Sequence, residues 1–216
     1  MSKYKYILFD NDGTIVNTID TILFCFKKTA KSVLKIENPN PDDFKCLIGL
    51  PLEDQYKNFT EDEETIKKCV ELHRELTLKY SDKMCKNYDG LPQVLEYLYN
   101  QDFKLGIVTS KIHDFCVSGL KVLGIDKYFD YIQGCDDYKY HKPDPKTLEY
   151  AANKLELKPH ELLYIGDSSF DVIAASKAGL DTCAVTWGAF TKDQLIPYKP
   201  NFIVDKPSEL IEIIEA

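Results

Sequence analysis

No stretch of this 216-residue sequence comes near the ~20 consecutive apolar residues that a membrane-spanning helix needs. The N-terminus, Met-Ser-Lys-Tyr-Lys-Tyr, shows no apolar signal region ahead of the first strand-like segment, so the cytoplasm is the expected location. Long basic blocks are missing too. Lys and Arg number 27 against 35 Asp and Glu, a net charge of −8 spread along the chain. That excludes the electrostatic footprint of a nucleic-acid or anionic-membrane binder and leaves only a local basic spot for a small anion. No Cys-x-x-Cys pair occurs, and His73, His113, His141 and His160 are too scattered for a zinc motif. The cysteines at 25, 46, 69, 85, 116, 135 and 183 are odd in number and lie mostly in apolar runs, as buried free thiols do in a reducing compartment. No pattern bears on oligomeric state.

What the chain does have is enough apolar content, 44%, to build a core, and a length suited to one large domain or a domain with an insertion. Short apolar runs alternate with amphipathic helical patterns. Strands are predicted at Tyr4–Phe9, Leu105–Thr109, Tyr128–Ile132, Leu162–Ile165, Thr182–Thr186 and Phe202–Val204, with helices near 91–101, 113–123, 145–155, 170–178 and 207–215. Asp144 reads as the cap of the third of these helices and Pro145 as its first residue. The alternation predicts an α/β fold with a parallel sheet covered on both faces. From Thr18 to Tyr80 the rhythm breaks. Ile19, Ile22, Leu23, Phe26, Ala30, Val33 and Leu34 follow helical spacing, and Thr60 with Glu63 reads as a capping box ahead of a second long helix. The expected organisation is a core of 1–16 and 82–216 interrupted by a helical domain at 17–81, a lid over the carboxyl end of the first strand.

Chemistry concentrates at the predicted strand ends. Asp10-Asn11-Asp12-Gly13-Thr14 follows the first strand, and on its own reads equally well as an Asn/Asp/Gly turn. Thr109-Ser110-Lys111 follows the second, and Gly166-Asp167-Ser168-Ser169-Phe170-Asp171 follows Leu162–Ile165, with Lys142 between them ahead of Pro143. In a parallel sheet these ends share one edge. Several carboxylates gathered around one lysine repel unless a cation joins them. Hard oxygen donors without clustered His or Cys point to Mg²⁺. A carboxylate beside Mg²⁺ can attack phosphorus, and a second carboxyl group can move the proton. A hydroxyl and an ammonium can hold the phosphoryl oxygens, while Gly13 permits close backbone approach.

Taken in order, these four motifs resemble those of the haloacid dehalogenase superfamily of aspartate-nucleophile phosphatases, over essentially the whole chain. The resemblance implies a Rossmann-like sheet of order 5-4-1-2-3 with an inserted α-helical cap. It implies Asp10 as nucleophile, Asp12 as general acid/base, and Mg²⁺ held by Asp10, Asp167 and the Asp12 carbonyl, with Asp171 as an accessory acid. Asn11, Gly13, Thr109, Ser110 and Lys142 would bind the phosphoryl group. Asp12 argues against dehalogenation, and Leu52, where the hexose-phosphate mutases look for a cap arginine, argues against that branch. Leu47–Leu52 and Val185–Gly188 look most like phosphoglycolate phosphatases and their pyrophosphatase relatives. The expected function is Mg²⁺-dependent hydrolysis of a small phosphorylated metabolite, a phosphoglycolate-like monoester, through an aspartyl-phosphate. The alternatives are a pyrophosphatase, a sugar-phosphate phosphatase or phosphomutase, and, from another class, a non-catalytic phosphoacceptor module. Lys45, Gly49 and Leu52 are the candidates for substrate selection.

Overall fold

The computed structural model describes residues 3–216, apart from the side chains of Ser81 and Asp82. Met1 and Ser2, at the start of the expected core segment, and those two side chains, at its expected resumption, lie outside the described residues.

The apolar run Tyr6-Ile7-Leu8-Phe9 forms β1 (Tyr6–Phe9), buried at every position. Behind the Asp10–Gly13 turn, β2 (Val16–Asn17) pairs antiparallel with β3 (Lys86–Asn87). Both are too short for periodicity to register, and the sequence reading has neither. They clasp the two ends of a helical unit: α1 (Ile19–Thr29), α2 (Pro41–Lys45), α3 (Leu52–Tyr56) and α4 (Glu63–Met84). The predicted face of α1 runs on through a wider turn over Ala30–Leu34, closed where the Lys35 amide bonds back to the Ala30 carbonyl. The cap of α4 is two residues from its expected place. Asp62, not Thr60, accepts from the Thr65 amide at 2.9 Å, and the Thr60 hydroxyl holds the Asp62 amide at 3.2 Å. A carboxylate suits the positive end of a helix better than a hydroxyl.

This unit has its own core. Phe26 stacks on Phe44 with ring centroids 4.2 Å apart, and Tyr56, Phe59 and His73 pack around the pair. Ile66, Cys69 and Val70 from α4 close it.

The rest of the chain is the α/β layer: α5 (Leu91–Asn100), β4 (Lys104–Val108), α6 (His113–Leu123), β5 (Tyr131–Gln133), α7 (Lys146–Lys154), β6 (Leu162–Gly166), α8 (Ser169–Ala178), β7 (Asp181–Val185), α9 (Lys192–Leu195), β8 (Phe202–Val204) and α10 (Glu209–Glu215). The six parallel strands lie in the order β5-β4-β1-β6-β7-β8, which is the expected five-strand order with β8 added outside β7. Alternation sorts the two faces. Ile7, Phe9, Leu163 and Ile165 pack with residues of α5, α6 and α10, whereas Tyr6, Leu8, Leu162 and Tyr164 pack with α7 and α8. Asp144 accepts from the Lys146 amide at 3.0 Å, but the cap position of α7 falls on Pro145, one residue later than expected.

Boundaries shift where the ladder decides them. β1 begins at Tyr6, the first residue facing both Lys104 and Leu162, although Tyr4 is also buried. The strand predicted from Tyr128 starts at Tyr131, because Asp126–Tyr128 forms a tight helical turn and Tyr131 is the first residue to meet β4, at Gly106. All seven cysteines are free thiols. Among the described residues no helix is long and apolar enough to cross a membrane.

Candidate active site

Three strands deliver the site. β1 lies between β4 and β6, with Phe9 level with Ile107 and Ile165. The ladder extends one step beyond the strands, where the Asp10 amide donates to Ile165 at 2.8 Å and the Thr109 amide to Gln133 at 2.9 Å. Asp10, Thr109 and Asp167 therefore leave the sheet side by side.

Asp10, Asp167 and Asp171 are all buried, and each offers a carboxylate oxygen within 4.8 Å of the others. Lys142, 2% exposed, sits against them. Its ammonium reaches Asp10 at 2.9 Å, Asp171 at 2.6 Å and the Tyr164 hydroxyl at 3.0 Å, which uses all three of its protons. Burial opposes the Lys142 charge, but Asp10 and Asp171 outweigh it and hold the group above the ordinary lysine range. Burial pushes the Asp10 carboxyl up to about 6; Lys142 works against that rise, while Asp171 and Asp12 add to it. Asp167 is raised well above the ordinary value by burial, then by Asp171 and Asp10. One lysine facing three buried acids leaves a negative excess that a divalent cation would balance.

The Asp167 carboxylate is positioned by the Thr14 hydroxyl at 3.2 Å and the Ala189 amide at 2.6 Å. Gly13 has φ +82°, and a Cβ there or on Gly188 would collide with this carboxylate. The room that a side chain at Gly13 would need is thus occupied by Asp167. Asp171 accepts from the Ser168 amide at 3.0 Å and hydroxyl at 2.6 Å, the capping box of α8.

Asp12 stands apart from this cluster, on the wall of a cavity of about 390 Å³. Lys111 holds its carboxylate at 2.8 Å. Burial opposes the Lys111 charge and Asp12 more than restores it, so its pKa is raised. Thr109, Ser110, Gly49 and Leu52 line the same cavity, whereas Lys45 is not on its wall. The Ser110 hydroxyl is spent on the Gly49 carbonyl at 2.6 Å, tying the helical unit to β4. The Asn11 side chain turns away, donating to Asp12 at 3.0 Å and facing the Cys116 thiol at 3.5 Å. Sequence reasoning missed Lys111, Tyr164 and the Gly188–Ala189 backbone. Lys111 lies two residues past Thr109 in the segment that follows β4, and that position is the available signal. Nothing local marks Tyr164, whose inward place in β6 reads as core.

The sequence model of the haloacid dehalogenase-like hydrolases matches residues 7–185 of the chain. The chain belongs to that family. Among its relatives in the haloacid dehalogenase-like hydrolases is the pyrophosphatase PpaX of Halalkalibacterium halodurans, 33% identical over 208 residues and covering 96% of this chain and 95% of that protein. The pyrophosphatase PpaX of Anoxybacillus flavithermus is 35% identical over 211 residues, with 96% and 95% covered. A crystal structure from Clostridium acetobutylicum described as "a predicted phosphatase" superposes with a TM-score of 0.89 at 29% identity, covering 100% of both chains.

Proposed function

We propose that this haloacid dehalogenase-like hydrolase is a Mg²⁺-dependent phosphatase that works through an aspartyl-phosphate. The observation that carries the reading is the buried Asp10, Asp167 and Asp171 set with Lys142 as its one ammonium, of which Asp10 reaches the wall of the cavity that Asp12 also lines. Asp10, Asp167 and the Asp12 carbonyl would hold the ion, with Asp171, whose oxygens are bound to Lys142 and Ser168, behind them. When bound, the ion neutralises charge on the phosphoryl oxygens and offsets the repulsion among the acids.

In the reaction, an Asp10 carboxylate oxygen attacks phosphorus and the bond to the leaving oxygen breaks, that oxygen taking a proton from Asp12. Asp12 then removes a proton from water, the water oxygen attacks the phosphorus of the acyl phosphate, and phosphate leaves with Asp10 regenerated. Lys111 keeps the Asp12 carboxylate on the cavity wall throughout. Thr109 and the Ser110 amide bind phosphoryl oxygens. Lys142 fixes Asp10, and its part in holding phosphate requires one of its three bonds to be exchanged for the substrate. The helical unit at 17–81 acts as a cap, its Gly49–Leu52 loop roofing the cavity. The substrate is a small phosphorylated metabolite. Phosphoglycolate-like monoesters are the first class, and the PpaX relatives favour pyrophosphate as the second.

Asp10→Asn keeps the size of the side chain and removes the nucleophile. Turnover of p-nitrophenyl phosphate should fall by about 10⁴-fold or more, the scale on which loss of a covalent nucleophile acts, with the circular dichroism spectrum unchanged. Substantial residual turnover, or full wild-type activity in EDTA, would falsify the reading.

A further inference from the structure

Arg74 is the single arginine of the sequence. α4 carries it to the wall of the same cavity that exposes Asp10, Asp12 and Thr109. Its neighbour His73 is buried against Phe44 and bonded to the Tyr56 hydroxyl at 2.7 Å, which fixes the rotation of α4 about its axis. Position 74 lies one step of roughly 100° around the helix from that anchor and so turns out of the aromatic core toward the cleft. Cys135 lines the same cavity: burial raises its thiol to about 11, and the Arg74 charge pulls the other way.

The remaining cations at this edge are spoken for. Lys111 is bound to Asp12 and Lys142 to Asp10 and Asp171. Burial, with the Lys111 charge, holds His73 down at about 3, so it is neutral. The acids on the wall also have partners: Glu53 lies 3.6 Å from the Lys57 ammonium, and Asp136 accepts from the His113 amide at 2.8 Å. Among the described residues Arg74 has no ion-pair partner. A planar guanidinium with free donors, in a cleft of an acidic protein, matches a carboxylate or phosphate oxyanion in a way that a lysine does not.

We infer that Arg74 selects substrates whose leaving group carries a second oxyanion, phosphate or carboxylate, by holding that group while Asp10 faces the transferring phosphoryl. This inference rests on the phosphatase reading and adds a specificity to it. An aryl or neutral leaving group gives the guanidinium nothing to hold, so the residue acts on the choice among substrates and not on phosphoryl transfer itself.

The test compares KM and kcat of wild type, Arg74→Ala and Arg74→Lys, in Mg²⁺, on pyrophosphate, phosphoglycolate and p-nitrophenyl phosphate. Arg74→Ala is expected to raise KM for one or both oxyanion-bearing substrates at least tenfold more than KM for the aryl phosphate, a difference of about 1.4 kcal/mol. Arg74→Lys restores part of it. An effect on pyrophosphate alone assigns the held group as phosphate, and on phosphoglycolate alone as carboxylate. Equal changes on all three substrates, or none, in variants that melt like wild type overturn the role of Arg74 and leave the phosphatase reading standing. A wild-type enzyme that turns over only the aryl phosphate overturns it as well. Absence of wild-type turnover on all three overturns the phosphatase reading, and the inference with it.

Discussion

The strand-end edge and the helical unit above it solve opposite problems. At the edge, four ionisable side chains are buried together, each tied by hydrogen bonds to the others or to backbone, and Lys142 is held in its charged form by Asp10 and Asp171. In the helical unit a histidine, His73, is buried among rings and gives up its charge. The first region is costly to assemble and is fixed in place by the sheet. The second is held by aromatic packing. This haloacid dehalogenase-like hydrolase thus combines two kinds of construction.

The comparison breaks most visibly at Lys142. Lys142→Met keeps the bulk and removes the only ammonium from three buried acids. Taking one partner from a buried ion pair costs about 3–5 kcal/mol, and turnover should be lost with it. Urea unfolding in EDTA measures the cost, and Mg²⁺ should stabilise the variant more than wild type because the acids are then short of a cation. A loss below about 1 kcal/mol would mean that the cluster does not depend on this charge.

The second break is in the helical unit. Phe44→Ala opens a cavity beside Phe26, Tyr56 and His73, at a cost of about 3 kcal/mol. If the aromatic core stabilises its own unit, hydrogen exchange should speed up in α1 and α4 while amides of β1 and β6 keep their protection. Equal loss in both regions would show one cooperative block instead of two.

The same contrast explains what the sequence could reveal. Strand ends share an edge by topology alone, so Asp10, Thr109 and Asp167 could be brought together from their motifs, and the helical stretch stood out by its missing strands. Lys111 is hard to single out because a lysine after a turn looks like any solvated lysine until Asp12 is seen 2.8 Å from its ammonium. A motif does not say which atom fills a glycine's space, and at Gly13 the side-chain room is taken by the Asp167 carboxylate. Arg74 is harder still. Its place depends on the rotation of α4, set by His73 against Tyr56 and Phe44, and no local pattern carries that information. Lys45, four residues before Gly49, is the more obvious cation in the sequence and is not on the cavity wall.

The finest test of the contrast is pH, because the two regions should respond with opposite signs. His73 titrates near 3 in the folded protein, well below the ordinary histidine value. Between those two pH values the unfolded chain binds a proton that the folded chain refuses, so stability falls as pH drops through the ordinary histidine range. The slope from this one group is about 1.4 kcal/mol per pH unit once pH is below ~6.5. Asp10 is raised to about 6, so in EDTA the folded chain holds its proton more tightly than the unfolded one, and acidification from about pH 6 favours the fold. The sum can look flat, and a difference is therefore required. His73→Gln keeps a side chain able to bond Tyr56 and cannot titrate. Subtracting its urea-unfolding free energy from that of wild type, from pH 7.5 to 5, should leave a difference that is constant above pH 7 and then moves against wild type by about 1.4 kcal/mol per unit. A flat difference over the whole range would mean that the aromatic core leaves His73 its ordinary charge, and the contrast between the two regions would lose its sharpest mark.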